Sequence, residues 1–255
     1  PGRIKKIKKI VDYLFVLFPF EQEYFSNLGV KSQFVGHPAA TKIKTVQKTT
    51  RSSDFSDMKE LNLALLPGSR WEEVKYHADI FFASAGFLKN LVNKKVNLKI
   101  GAANEKVADF LRERAEKHYE DGVFYIDDSI GCLKQSDLAI VSSGTVSLEA
   151  FLCLKPMVVC YKTSKLNYFL FKKLIISDHI SLPNILMGSN VVPELIQDNL
   201  IAQSIAAQLM LWMIDNHRLE LFQQGGRSFL DILSGDSHDN INKYFDFLIE
   251  QFIKK

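Results

Sequence analysis

The residues best placed to do chemistry lie in the stretch Ser142-Ser143-Gly144-Thr145-Val146-Ser147-Leu148-Glu149. The apolar run Leu138 to Val141 stops at small, polar residues, and a helical pattern carrying one carboxylate begins at once. A loop of this kind at the carboxyl end of a strand turns backbone N–H groups toward an anion, because the first amides of a helix have no intrahelical partner. Glu149 follows Thr145 by about one helical turn and can face the same crevice, where a carboxylate accepts hydrogen bonds from sugar hydroxyls. It sits among Val146, Leu148, Ala150, Phe151 and Leu152, surroundings in which a carboxylate needs a partner. Phosphate donors beside a hydroxyl acceptor describe a nucleotide-sugar site.

Two further segments could complete it. Leu65-Leu66-Pro67-Gly68-Ser69-Arg70 ends an apolar run. Gly68 and Ser69 allow close approach of backbone to an anion, and the Arg70 guanidinium can fork two phosphate oxygens. The plainer reading of PGSR is a strand-to-helix turn with Ser69 as the helix cap and Arg70 in water. Glu72 and Glu73 fall in the first helical turn, where the dipole favours carboxylates, and are read as structural. The other segment holds Ser181-Leu182-Pro183-Asn184 and Pro193-Glu194-Leu195-Ile196-Gln197. Glu194 and Gln197, three apart at the start of a helical turn, would point the same way.

These segments need a frame, and the chain supplies one. Strand-like runs at 61–66, 96–101, 123–126, 138–141 and 157–161 alternate with helical patterns at 72–90, 105–118, 129–135 and from Thr145. Such alternation predicts an α/β fold: a Rossmann-like, doubly wound parallel sheet with helices on both faces and ligands at the carboxyl ends of its strands. Residues 1–40 read as helix, strand, helix, strand, the tail end of an incomplete N-terminal domain. The polar stretch 41–60 reads as a linker, 61–230 as the nucleotide-sugar-binding domain, and 231–255 as a C-terminal helix. Breaks are expected at Gly225-Gly226 and at Ser234-Gly235-Asp236. The chain opens on Pro1 inside an amphipathic pattern, which reads as a fragment lacking its N-terminal part.

Bulk composition narrows the class. Of 255 residues, 47% are hydrophobic and 24% charged, the make-up of an ordinary globular protein with material for a large core. The formal charge of +3 gives no argument for nucleic acid. Cys132, Cys153 and Cys160 lack metal-site spacing and lie in or beside apolar runs, as reduced core residues do. The six histidines form no HxH or HxxxH pair, so no protein-built metal site is expected. No apolar run approaches the ~20 residues of a membrane span. From Tyr161 to Ile176, aromatics and lysines interleave. That pattern suits either a sheet-covering helix or one whose rings enter lipid while its lysines meet anionic head groups.

Taken in order, PGSR after a strand, SSGTVSLEAFLCLKPMVVCYK, SLPN and PELIQ resemble the lipid-A-disaccharide synthase family. Leu17-Phe18-Pro19-Phe20-Glu21 and Phe34-Val35-Gly36-His37-Pro38 look like that family's domain junction. The resemblance runs from about residue 3 to about 230. It implies the C-terminal half of a two-Rossmann-domain (GT-B) inverting glycosyltransferase. The implied reaction joins UDP-2,3-diacylglucosamine to 2,3-diacylglucosamine 1-phosphate, giving lipid A disaccharide 1-phosphate and UDP, without metal or cofactor. Arg70 would stabilise the departing diphosphate, Ser69, Ser143, Gly144 and Thr145 would help to hold it, and Glu149 would hold the ribose. Asn184, Glu194 and Gln197 would face the donor sugar or the diphosphate. The base that takes the acceptor proton would come from the N-terminal domain, with His37 read as a hinge residue. Such an enzyme would be cytoplasmic and peripheral to the inner membrane, and its helical tail, with Phe245, Phe247, Leu248 and Phe252, would cross back to the N-terminal domain or pair with a second subunit. Three rival readings share these features: another GT-B UDP-GlcNAc transferase, a UDP-sugar 2-epimerase, and a non-catalytic α/β module docking on acidic lipid.

Overall fold

A computed structural model describes residues 2–46, 55–118, 120–164, 168 and 178–234. The chain divides into two compact units, one of residues 1–50 with 227–255, the other of residues 51–226.

In the smaller unit, α1 (Gly2–Ile10), β1 (Leu14–Val16), α2 (Pro19–Asn27), β2 (Ser32–Phe34) and α3 (Pro38–Val46) follow one another. The two strands pair in parallel, Leu14 opposite Ser32. Pro19 opens α2, where its missing N–H is no loss, and the Glu21 carboxylate accepts from the Leu17 and Phe18 amides. His37 is buried against Phe18, and its Nδ1 accepts from the Ala39 amide. It therefore caps α3. The stretch read as a linker from Thr41 begins inside α3. Ala40 and Ile43, three apart, are fully buried while Lys42 and Lys44 face water, so two lysines on a solvated face made a helix look like a tether.

The larger unit contains β3 (Glu60–Leu66), α4 (Trp71–Leu91), β4 (Lys95–Ala102), α5 (Glu105–Lys117), β5 (Gly122–Ile126), α6 (Ser129–Lys134), β6 (Leu138–Ser142), α7 (Thr145–Leu152) and β7 (Met157–Tyr161). After residues 165–167 and 169–177, which lie outside the described residues, come α8 (Leu182–Met187), β8 (Glu194–Ile196), α9 (Ala202–Ile214) and α10 (Asn216–Leu233), of which residues up to 226 belong to this unit. The sheet order is β5-β4-β3-β6-β7-β8, with every pair parallel. Counted from β3 this is the order 3-2-1-4-5-6 of a doubly wound Rossmann sheet. The winding reverses between β3 and β6, where open α/β sheets leave a crevice for ligands.

Burial explains why β6 could be read so readily: all five of its residues are enclosed, as in a central strand covered on both faces. On one side the fully buried Trp212 donates its indole N–H to the Met157 carbonyl at 2.8 Å and packs edge-on against Phe222. Phe222 meets Phe151 of α7 in the same way. The helix break expected at Gly225-Gly226 does not occur, since α10 runs through both residues. Their missing side chains serve packing instead. A methyl group at Gly226 would stand 2.6 Å from the Phe151 carbonyl oxygen, and one at Gly225 2.7 Å from the Met187 sulfur. Residues 231–233, assigned to a separate C-terminal helix, are the end of α10, and 235–255 lie outside the described residues.

Candidate functional site

At the reversal of the winding, the carboxyl ends of the strands enclose a cavity of about 300 Å³. Ser69, Arg70, Ser143, Gly144, Thr145 and Glu149 all line it. Six of the nine residues singled out in sequence therefore meet in one crevice. Asn184, Glu194 and Gln197 are not among the lining residues.

The first wall follows β3. Gly68 has φ +123°, a conformation that costs any other residue strain, and a methyl group there would stand 2.7 Å from a Glu73 carboxylate oxygen. The turn delivers Arg70, rather than Ser69, to the cap position of α4. The guanidinium reaches out to Glu73 at 2.8 Å and remains largely exposed, 83% for its side chain against 18% for that of Glu73. An exposed pair of this kind contributes little to stability, so Arg70 can exchange Glu73 for an incoming anion at small cost. Glu73, read in sequence as purely structural, is thus a wall of the cavity and the resting partner of its cation.

Between β6 and α7 the backbone divides its amides. The Ser143 N–H continues the sheet by donating to the Cys160 carbonyl at 2.9 Å, and its hydroxyl donates to the Ile180 carbonyl at 2.9 Å. Ser143 therefore shapes the loop, and its expected role as an amide donor to phosphate is corrected. Gly144 precedes the helix, and its carbonyl accepts from both the amide and the hydroxyl of Ser147. Helix geometry leaves the amides of Thr145 and Val146, both at the cavity, without an intrahelical acceptor, at the positive end of the α7 dipole.

Glu149 stands one turn into α7, and its Oε2 accepts from the Ser129 hydroxyl at 2.6 Å. Sequence reading missed Ser129. The signal was available, for Asp128-Ser129 follows the short strand β5 as Ser143-Gly144 follows β6. Asp128 caps α6 by accepting from the Gly131 amide at 2.9 Å. Asp127, Asp128 and Ser129 bring the tip of β5 into the cavity wall.

The third segment does different work. Glu194 lies in β8, not in a helical turn, because Glu194–Ile196 pairs with Val159–Tyr161 of β7. Its carboxylate accepts from the Ile180 and Ser181 amides, the Ser181 hydroxyl and the Asn184 side-chain amide. Asn184 is fully buried and also exchanges bonds with the backbone of Val192. Gln197, at φ 52°, clasps Thr163 by both its N–H and its C=O. These three side chains knot loops together, and Ile180 carries that knot to Ser143.

Two other groups bear on chemistry. His77 on α4 is fully buried and contacts the Pro67 carbonyl and the Lys162 amide. Burial holds its pKa below the ordinary histidine value, partly offset by the Pro67 carbonyl and the Glu73 charge. Burial also pushes the thiols of Cys132 and Cys153 up to about 12 and that of Cys160 well above its usual range, so none offers a thiolate nucleophile at neutral pH. Among the described residues there is no cluster of three or more His, Cys, Asp or Glu side chains fit to hold a metal ion, and no helix long and apolar enough to cross a membrane.

The strand order and the crevice at its reversal define the class: a Rossmann-like half of a GT-B fold. Solved structures agree on the fold. The UDP co-structure of MnaA from S. aureus superposes with a TM-score of 0.59 at 15% identity, covering 96% of this chain and 63% of that one. The pneumococcal O-GlcNAc transferase GtfA, in complex with UDP and GlcNAc, gives 0.52 at 14% identity over 97% of this chain and 47% of that one. Sequence goes further. The lipid-A-disaccharide synthetase (LpxB) pattern matches residues 1–244, and the chain belongs to that family. A lipid-A-disaccharide synthase of Neisseria meningitidis serogroup A is 34% identical over 242 residues, 93% of this chain. The chain spans 63% of the length of that relative and less than two thirds of others it matches.

Proposed function

We propose that this chain is the donor half of an inverting glycosyltransferase that joins UDP-2,3-diacylglucosamine to 2,3-diacylglucosamine 1-phosphate and releases UDP. The observation that carries the reading is the meeting of Arg70 and Glu149 in one cavity at the reversal of the sheet. The distal phosphate of the nucleotide would draw Arg70 from Glu73. The amides of Thr145 and Val146 and the hydroxyl of Ser69 would take further phosphate oxygens. Glu149, oriented by Ser129, would accept from the ribose hydroxyls.

The acceptor hydroxyl attacks the anomeric carbon while the bond to the diphosphate oxygen breaks. Negative charge grows on the leaving phosphate, and the Arg70 guanidinium, once drawn to it, together with a helix N-terminus would stabilise that charge more than the bound donor. The acceptor proton goes to a base that no residue of this chain is assigned to supply; the cap formed by His37 leaves its Nδ1 engaged. The substrates bear acyl chains, which supports a peripheral position on the cytoplasmic face of the inner membrane. The aromatic and basic segment 161–176 is the candidate contact, most of it outside the described residues. Pairing of two copies through the C-terminal tail belongs to the same reading.

Calorimetric titration with UDP tests the proposal. Binding is expected for the unchanged chain. In the full-length enzyme Arg70→Ala should lower kcat/KM by about 100-fold or more, the range for removing one charge-stabilising donor. Full-length protein with Arg70→Ala turning over at the wild-type rate, or no heat with UDP, would remove the assignment. Conversion of UDP-GlcNAc to an epimer without acceptor would replace it with an epimerase.

A further inference from the structure

His77 is a buried histidine that the chemistry above does not use, and its two ring nitrogens reach two separate segments of chain. Nδ1 lies 2.8 Å from the Pro67 carbonyl oxygen, directly before Gly68-Ser69-Arg70. Nε2 lies 3.1 Å from the backbone nitrogen of Lys162, directly after β7. An amide N–H can only donate, so Nε2 must be the acceptor and the ring proton sits on Nδ1, where it donates to Pro67. The sheet order puts β6 between β3 and β7. One ring thus joins the chain leaving the two strands that flank β6, whose own exit is the loop Ser142–Thr145.

We propose that His77 is a positioning residue of the nucleotide site, holding the Pro67–Arg70 turn and the β7 exit in one frame as its Nδ1–H tautomer, and that nucleotide affinity depends on this bridge. The inference rests on the nucleotide reading given above. On one side, the Pro67 carbonyl direction fixes the peptide that enters Gly68 at φ +123° and so sets where Arg70 starts. On the other, Thr163 is clasped by Gln197, so the β7 exit is held at two successive residues. The ring stacks on Phe81 at 5.4 Å and 21°, which fixes its plane within α4.

A second proton would turn Nε2 into a donor facing the Lys162 N–H and break the bridge. The charged groups that act on the ring are Glu73 from its own helix, which favours that proton, and Lys162 from the β7 exit, which opposes it together with burial. The neighbouring α9 contributes no ionisable side chain. The bridge is therefore intact at neutral pH and fails in acid.

The test compares the 255-residue chain with His77→Phe, which keeps a ring against Phe81 but neither bond, and His77→Gln, which can make one of the two. UDP affinity is measured by calorimetry at pH 7.5, and amide exchange at Lys162 and Thr163 by mass spectrometry. Expected are a roughly tenfold weaker Kd for His77→Phe and a loss of about threefold for His77→Gln, the range of one or two hydrogen bonds. Exchange at Lys162 should be faster in His77→Phe. A folded His77→Phe that binds UDP like the unchanged chain overturns this inference alone. Should that variant not fold, His77→Gln with the UDP affinity and the Lys162 exchange of the unchanged chain overturns it. No UDP binding by the unchanged chain overturns the nucleotide reading and this inference together.

Discussion

Ser129 donates its hydroxyl proton to Glu149 across 2.6 Å, joining the residues after β5 to α7 in the lining of the cavity. The bond ties a carboxylate oxygen on one helix to the first residue of another. A carboxylate held in this way meets a ribose with less rotamer freedom left to lose.

Ser129→Ala should consequently weaken UDP binding by about three- to tenfold, the range of one ordinary hydrogen bond. Binding of inorganic pyrophosphate, which has no ribose, should be unchanged. Calorimetry with both ligands checks this, and an equal loss for the two would place Ser129 on the phosphates instead.

The two glycines facing the crevice should behave in opposite ways. Gly68→Ala meets a positive φ and a crowded Glu73, and should lower stability by about 1–3 kcal/mol. Gly144→Ala meets nothing within 4 Å on a backbone that is extended, and should change stability by less than about 0.5 kcal/mol. Any effect of that change should appear in UDP affinity. Thermal melts paired with titrations separate the two.

Glu194 answers to stability more than to ligand. Glu194→Ala would strand the Ile180 and Ser181 amides and the Asn184 side chain, and should cost about 3 kcal/mol. UDP affinity at a temperature where the variant remains folded should change far less than in Arg70→Ala. A variant with wild-type melting and no UDP binding would return Glu194 to the list of ligand contacts.

Acid should erode the fold through its buried histidines. His37 and His77 both have pKa values lowered by burial, so the unfolded chain takes up protons first as pH falls. Their contribution is fully present above about pH 6.5, the unfolded value, and is lost progressively below it until the folded values are passed. Denaturant melts between pH 8 and 5 should show the decline, and His37→Gln should make it shallower.

The sheet was legible because its strands are short apolar runs separated by turn residues, and the crevice followed because ligands gather where winding reverses. Arg70 and Glu149 could be found for the same reason, each lying just beyond an enclosed strand. Asn184, Glu194 and Gln197 were placed at the ligand through the family resemblance, since their types and spacing alone also suit ordinary turn residues. Polar side chains that knot loops and polar side chains that bind ligand have the same composition, and only the partners distinguish them. His77 was invisible for a related cause: nothing in WEEVKYHADI reveals that its ring will lie between a proline carbonyl and a residue 85 positions away.

Cys132, Cys153 and Cys160 are all enclosed in the larger unit, and the carbonyl of Cys160 holds the Ser143 amide. No maleimide can reach these sulfurs while the sheet is closed. The native molecule thus carries its own chemical stopwatch: the rate at which it takes up a thiol reagent reports how often its centre opens, with no label introduced beforehand.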